Sequence, residues 1–296
     1  MKRFLLSPFR LLKERYFGEE VRNPRVARNA LSKLAETLPP NVTQIAADAV
    51  ERLIEFQDPD YALLYLDRLA RYLGPAGLPS DQLEALARLL LTRMHFEDPI
   101  NIARETISIH GGMSARPDAV ASERVEVFRW DEIIAMLPTA AADPALSLFT
   151  KLHLANLSRR SVKMRFSART RFKLLRLKAM AALRIARPFS QRFKIERSWV
   201  ERWLHMIDRS HALHPDATPD IIKTAELVTG HGDIYKDGLE KWAVIVDGLI
   251  KPTCDGSLPL RTLADAVRDA HLAALRGAGQ VTQAVEGWRM ECAGKA

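Results

Sequence analysis

The chain has 296 residues and a formal net charge of +8 at neutral pH, and 47% of its residues are hydrophobic. This apolar fraction is ordinary for a globular protein and excludes extensive disorder, and the length accommodates one large domain or two small ones. The chain has two cysteines and no Cys-x-x-Cys pair, which argues against an iron–sulfur cluster and a cysteine-rich zinc site. It has no uncharged apolar run of about eighteen residues, which argues against a membrane span. Together these features predict a cytoplasmic protein.

Residues 1-22 combine cations with large apolar side chains and are interpreted as an N-terminal basic amphipathic arm. Their apolar stretch is too short and too interrupted for a secretory signal sequence. A first helix that covers the core is the favoured structure for this arm, because apolar stripes usually face a core. Packing on a partner or lying at a membrane surface is the alternative.

Helix-start signals then recur along the chain. An acid or hydroxyl that can cap a helix precedes a proline at Asp58-Pro59, Asp98-Pro99, Asp143-Pro144 and Thr218-Pro219, and Ser80 is a further cap candidate. Apolar residues follow these signals at helical spacing, as in Leu63, Leu66 and Leu69.

We therefore predict an all-α protein, an irregular bundle of about ten to twelve helices, from typical helix and loop lengths. Residues 23-296 form a single all-helical domain in this prediction, with a division into two lobes, 23-157 and 158-296, as the alternative. Only the segment from Val125 to Trp130 hints at a strand, and no pairing partner for it is evident.

One contiguous segment makes the chain basic. Residues Ser158 to Arg197 contain fourteen arginines and lysines and a single acid, Glu196, so this segment carries +13 and the rest of the chain −5. The apolar positions Phe172, Leu175, Ala179, Leu183 and Ala186 follow helical spacing within it. The pattern predicts one long Arg/Lys-rich helix.

The cations of this segment are candidate ligands for an anionic partner, because guanidinium and ammonium groups bind carboxylates and phosphates. The candidates are Arg159, Arg160, Lys163, Arg165, Arg169, Arg171, Lys173, Arg176, Arg184 and Arg187. The alternative is that their stems cover apolar neighbours and their heads pair with acids elsewhere in the fold. Nucleic acid is a poor fit, since aromatic interleaving is thin and no recognised nucleic-acid-binding motif is present.

The turn Gly230–Gly238 is the other distinctive short segment. Its glycines permit a left-handed turn and Asp233 can cap the next helix, which is the favoured interpretation. A functional interpretation places His231, Asp233 and Tyr235 in a cleft. For the cluster from His205 to Asp216, a solvated helix end is favoured over a metal site, and no catalytic motif appears in the chain.

Four segments together resemble the helical C-terminal domain of the indolepyruvate oxidoreductase beta subunit family. They are Phe56-Gln57-Asp58-Pro59 with Tyr61 and Tyr65-Leu66-Asp67-Arg68-Leu69; Phe96 to Ala103; Arg159 to Trp203, ending in Glu201-Arg202-Trp203-Leu204; and Leu227 to Leu239. The resemblance extends from about Ala30 to about Leu275 and rests on the order and spacing of the segments. The sequence departs from the family pattern at His231, where an aromatic residue is usual. The gamma-type catalytic domain that normally precedes this region in the family is also absent from the sequence.

The resemblance implies a component of a 2-oxoacid oxidoreductase that converts aryl pyruvates such as indolepyruvate to acyl-CoA and reduces ferredoxin. In that family, thiamine pyrophosphate and the iron–sulfur clusters belong to other domains or subunits. We therefore expect an accessory helical subunit, not catalytic on its own, that docks the catalytic subunit, ferredoxin or the phosphates of CoA. The alternative is a free-standing basic module that binds nucleic acid or an anionic membrane surface.

Overall fold

The computed structural model describes residues 24–113, 123–138 and 161–293, together with the single positions 140, 142, 144 and 147. The arm predicted at 1-22, the helix start at Asp143 and the candidate ligands Arg159 and Arg160 lie outside the described residues. Within the described ranges the all-α prediction is confirmed, since the only sheet found there has two strands. No helix in these ranges is long and apolar enough to cross a membrane.

In chain order, the α-helices and strands are α1 (Pro24–Ala35), α2 (Pro40–Phe56), α3 (Pro59–Ala70), α4 (Ser80–Met94), α5 (Pro99–Met113), β1 (Arg124–Arg129), α6 (Trp130–Ala135), β2 (Ser161–Phe166), α7 (Arg171–Ala182), α8 (Gln191–Leu213), α9 (Thr218–Lys223), α10 (Gly232–Ile245), α11 (Lys251–Cys254), α12 (Leu263–Arg276) and α13 (Ala278–Ala293). Short 3-10 helices occupy Leu183–Ile185, Arg187–Phe189, Pro215–Ala217 and Thr224–Leu227, and Val246–Ile250 forms a π-helical turn.

Several helices begin where the sequence signals predict. Helix α3 starts after Asp58, whose carboxylate accepts a hydrogen bond of 2.8 Å from the backbone N–H three residues later. The carboxylate of Asp98, before α5, likewise accepts a hydrogen bond of 2.6 Å from the backbone N–H of Asn101. Ser80 also begins a helix, α4, but its hydroxyl donates to the side chain of Asn41 at 2.8 Å and does not cap the helix.

The chain divides into two compact units. The first contains the chain up to His95, Val200–Thr229 and the chain from Asp237 onward. The second contains Phe96–Trp199 and Gly230–Lys236. These boundaries differ from the predicted lobes 23-157 and 158-296, because the chain leaves the first unit after His95 and returns to it at Val200 and again at Asp237.

The largest fully buried side chains among the described residues, Trp203 and Trp242, lie in the first unit with their indole N–H groups satisfied. Trp203 donates to the backbone carbonyl of Ile221 at 3.3 Å, and Trp242 donates to the hydroxyl of Thr224 at 3.2 Å. Because an unsatisfied buried donor costs about 1–3 kcal/mol, these bonds stabilise the burial of the rings.

The second unit contains an antiparallel sheet, in which β1 pairs with β2 from Arg124 opposite Phe166 to Arg129 opposite Ser161. The strand that the sequence hinted at, for which no pairing partner was evident, therefore has one. Its partner, β2, lies inside the segment predicted to be helical. This segment forms a strand because Val162, Met164 and Phe166 alternate with polar residues and turn one face of the strand to the core.

The long helix predicted in the basic segment is consequently a strand followed by a helix of twelve residues, α7. Thr170 ends the intervening loop, and its hydroxyl accepts a hydrogen bond of 3.3 Å from the backbone N–H of Lys173. The helix turns Leu177 to the core, with Leu174 and Met180 beside it, against a cluster that contains Phe128 and Phe166. The apolar positions that the sequence pattern singled out within α7, Phe172, Leu175 and Ala179, are exposed and do not face this core.

Candidate functional site

The described cations of the basic segment concentrate on β2, α7 and the loop between them, and we call this surface the basic face. Its members are Lys163, Arg165, Arg169, Arg171, Lys173, Arg176 and Lys178, all in the second unit. All are exposed except Lys173, which is half-buried. Arg176 donates to the backbone carbonyl of Arg165, so that the cations of the helix and those of the strand lie side by side.

The strand places two of these cations next to apolar side chains. Lys163 lies opposite Val127 and Arg165 lies opposite Val125 in the β1–β2 register. Both valines are exposed, at 44% and 49% of their surface. Side chains directly opposite on an antiparallel pair share one face, so this face of the sheet mixes cations with apolar groups.

The cations of the basic face make no ion pair with a carboxylate anywhere in the part of the chain that the structure describes. Elsewhere many arginines are paired, as Arg68 is with Glu201 at 2.7 Å and Arg268 with Asp220 at 2.8 Å. The first turn of α7 contains no acid and carries Arg171 and Lys173. Because the start of a helix has a partial positive charge, cations there are unfavourable without an external anion.

Large apolar side chains accompany these cations and are also exposed. Phe172 exposes 78% of its surface, Leu175 65% and Leu183 54%. The short 3-10 helices that follow α7 expose Ile185 and Phe189, at 76% and 67%. Single exposed apolar residues are common, but several within eighteen residues are typical of an interaction surface.

Two predicted ligands of an external anion are engaged within the protein. Arg187 is buried, with 2% of its surface exposed, and forms a bidentate pair with Asp98 at 2.7 and 3.0 Å. Its prediction as a partner-binding residue was wrong, because its donors face an internal carboxylate. Arg184 is half-buried and already has an intramolecular interaction.

The three residues of the predicted functional turn contact three different neighbours. His231 packs on Phe128, with ring centroids 4.9 Å apart, and its Nε2 lies 3.3 Å from a carboxylate oxygen of Glu126. Asp233 lies in the first turn of α10 and pairs with a strand residue, Arg129. Tyr235 is buried with the guanidinium of Arg192 over its ring, at 3.6 Å from the centroid. Each side chain thus has a different neighbour.

A network of ion pairs holds this turn to β1 and α6 within the second unit, and the sequence did not indicate it. Hydrogen bonding to Arg124 lowers the pKa of Glu126 below its ordinary value. Burial alone acts to raise the pKa of Asp131, but hydrogen bonds from Lys236 and Arg129 lower it overall. Carboxylates held in this way stay ionised and anchor the turn.

The histidine cluster from His205 to Asp216 is also dispersed. Asp208 pairs with Arg71, and the Nε2 of His211 lies 3.2 Å from the backbone carbonyl oxygen of Ala76. Over the described ranges, no group of three or more histidine, cysteine or acidic side chains is arranged to hold a metal ion.

The described residues that stand out are therefore those of the basic face and its exposed apolar neighbours. The sequence indicated most of the cations but not the exposure of the apolar residues, which are Phe172, Leu175, Ile185 and Phe189. Large apolar residues placed among consecutive cations were the signal that could have indicated a mixed surface.

Comparison with known proteins identifies one family. The sequence profile of a family of unknown function, DUF6537, matches residues 42–248, well over half of the chain, including the whole basic face. No curated protein matches the chain, and no solved structure matches it.

Proposed function

This chain belongs to the DUF6537 family, and we propose that it is an accessory, non-catalytic helical subunit of an indolepyruvate-type 2-oxoacid:acceptor oxidoreductase. It docks an anionic partner, the catalytic subunit or ferredoxin, through the basic face. The observation that carries the proposal is that the cations of the basic face, all exposed except the half-buried Lys173, have no carboxylate partner among the described residues. The resemblance of the four sequence segments supplies the class of complex.

Electrostatics supports an anionic partner for this face. Clustered like charges repel one another, and a surface that is merely solvated usually mixes the two signs. An acidic partner removes the repulsion and is attracted over about a Debye length, roughly 8 Å at physiological ionic strength. Such attraction mainly raises the association rate and makes it dependent on salt.

The paired residues elsewhere support a non-catalytic role for this chain. The groups proposed from sequence as a cleft, His231, Asp233 and Tyr235, serve to attach a turn to the rest of the second unit. In this proposal, thiamine pyrophosphate and the iron–sulfur clusters belong to partner subunits, and the chain contributes binding surface alone.

Affinity purification of the tagged full chain from its native cell at low salt, followed by mass spectrometry, tests the proposal. We expect recovery of a subunit that binds thiamine pyrophosphate and iron–sulfur clusters, and its loss when the column is washed at high salt. A chain that never associates with such a subunit contradicts the proposal.

A second candidate function is binding to an anionic membrane surface. The specific observation in its favour is that Phe172, Leu175 and Phe189 are exposed next to cations, as in helices that lie in the lipid headgroup region. Co-sedimentation of the chain with vesicles of phosphatidylserine, compared with vesicles of phosphatidylcholine, tests this candidate.

A further inference from the structure

One face of α7 has the pattern of a helix-packing seam. Phe172, Leu175 and Ala179 of α7, and Leu183 directly after its last residue, follow one another at spacings of three, four and four residues, which places them on one side of the helix. The three large side chains expose more than half of their surface, and Ala179 is also exposed. This side of the helix therefore carries an apolar seam that the described residues leave uncovered.

The small side chain in the middle of the seam favours another helix as the covering element. Ala179 lies between Leu175 and Leu183, so a partner helix can approach the backbone there while the two leucines pack on either side of it. Insertion into a lipid surface is stabilised by the apolar area that is buried, so large side chains along the whole seam would favour it. An alanine at the centre of the seam buries little area and contributes little to such insertion.

The charges on the two flanks of the seam define the chemistry of the partner. The helical period places Arg171 and Lys178 on one flank and Arg176 on the other. All three are exposed, and within the described ranges none is paired with a carboxylate. A second copy of the same helix would bring cations against cations, so the charges exclude self-association through this seam and favour acidic flanks on the partner.

We propose that α7 docks an amphipathic α-helix of the partner protein, in which an apolar seam packs on Phe172, Leu175, Ala179 and Leu183 and flanking glutamates or aspartates pair with Arg171, Arg176 and Lys178. This inference rests on the proposed function for the identity of the partner, but the seam itself is tested independently. The apolar residues contribute most of the affinity, and the cations orient the helix and accelerate its association.

The probe is a synthetic helical peptide with leucines at alternating three- and four-residue spacing and glutamates on both flanks, titrated into the full chain by fluorescence anisotropy. The test variant is Phe172→Ser with Leu175→Ser. The control is Leu272→Ser with Leu275→Ser in α12, two exposed leucines at the same spacing in the first unit, with 49% and 64% of their surface exposed. All four side chains are exposed, so both variants should retain the thermal unfolding of the native chain.

We expect the peptide to bind the native chain and the control variant alike, and the test variant about tenfold or more weakly. Lysines in place of the glutamates in the peptide should abolish binding. Equal affinity for the two variants, or no binding to the native chain, overturns the inference. Binding of phosphatidylserine vesicles that depends on Phe172 and Leu175, without peptide binding, overturns it in favour of a membrane surface.

The two proposals fail separately. If the peptide binds through the seam but no oxidoreductase subunit co-purifies, the proposed function is wrong and the helix-docking inference stands. If the subunit co-purifies equally with the native chain and with the Phe172→Ser, Leu175→Ser variant, the docking inference is wrong and the proposed function stands.

Discussion

The guanidinium of Arg187 and the carboxylate of Asp98 form a buried bidentate ion pair, with Nε–Oδ2 and Nη2–Oδ1 distances of 2.7 and 3.0 Å. Asp98 also accepts a hydrogen bond from the backbone N–H of Asn101, at the start of α5. One carboxylate thus joins two segments that are 89 residues apart in sequence. The pair ties Arg187 into the interior of the second unit, whereas the cations of the basic face lie at its surface.

Removal of one partner of this pair should destabilise the protein strongly. Arg187→Gln leaves the charge of Asp98 buried with only part of its hydrogen bonding, and breaking a buried pair in this way typically costs about 3–5 kcal/mol. Urea unfolding of the full chain measures this cost. Arg176→Gln, at an exposed position of the basic face, is the control and should change the free energy of unfolding by less than about 0.5 kcal/mol. Equal effects of the two substitutions would show that the pair does not stabilise the fold.

Two glycines in helical segments of the first unit should respond to alanine with opposite signs. A Cβ atom at Gly248 would lie 2.4 Å from a methyl carbon of Val285, whereas one at Gly287 would meet no atom within 4 Å. Gly248→Ala should therefore destabilise the protein by about 1–3 kcal/mol through overpacking. Gly287→Ala should stabilise it by roughly 0.5–1 kcal/mol, because alanine is the better helix former. Thermal unfolding of both variants checks the signs, and stabilisation by Gly248→Ala would contradict the close helix contact.

The stability of the second unit should fall in acid partly through Glu126. Arg124 holds the pKa of this carboxyl below its ordinary value of 4.5 in the folded chain. A lowered folded-state pKa contributes stability that is fully present above the unfolded-state pKa and is lost as the pH falls through the folded-state pKa. The free energy of unfolding of Glu126→Gln should therefore lie below that of the native chain at pH 7, and the difference should shrink below about pH 4.5. A difference that does not change between pH 7 and pH 3 would be inconsistent with this role.

Local signals in the sequence predicted much of the fold. Asp58 and Asp98 begin helices as expected because a cap and its helix are neighbours in sequence. The second strand was missed because the alternation of Val162, Met164 and Phe166 lies within a run of cations whose composition resembles that of a helix.

The candidate site was predicted in part. The positions of the cations follow from the sequence, but whether each is free to bind depends on contacts between distant residues. Arg187 illustrates this, since only the fold brings it to Asp98. The same holds for Phe172 and Leu175, which satisfy a helical period but face away from the core because Leu177 occupies the buried side of α7.

If the basic face binds an acidic partner protein, the affinity must weaken as the salt concentration rises, and measuring that dependence is the decisive experiment. The basic-face variant replaces Arg169, Lys173 and Arg176 by glutamine. The control variant makes the same replacement at three exposed cations of the first unit, Lys251, Arg261 and Arg289. The measurement is the dissociation constant for the co-purified partner at several salt concentrations, with unfolding curves for each chain.

We predict that the basic-face variant folds normally, binds about tenfold or more weakly at low salt and has a shallower salt dependence, while the control behaves as the native chain does. Equal affinity of the variant and the control, or unfolding of the basic-face variant, would show that the basic face is not the binding surface.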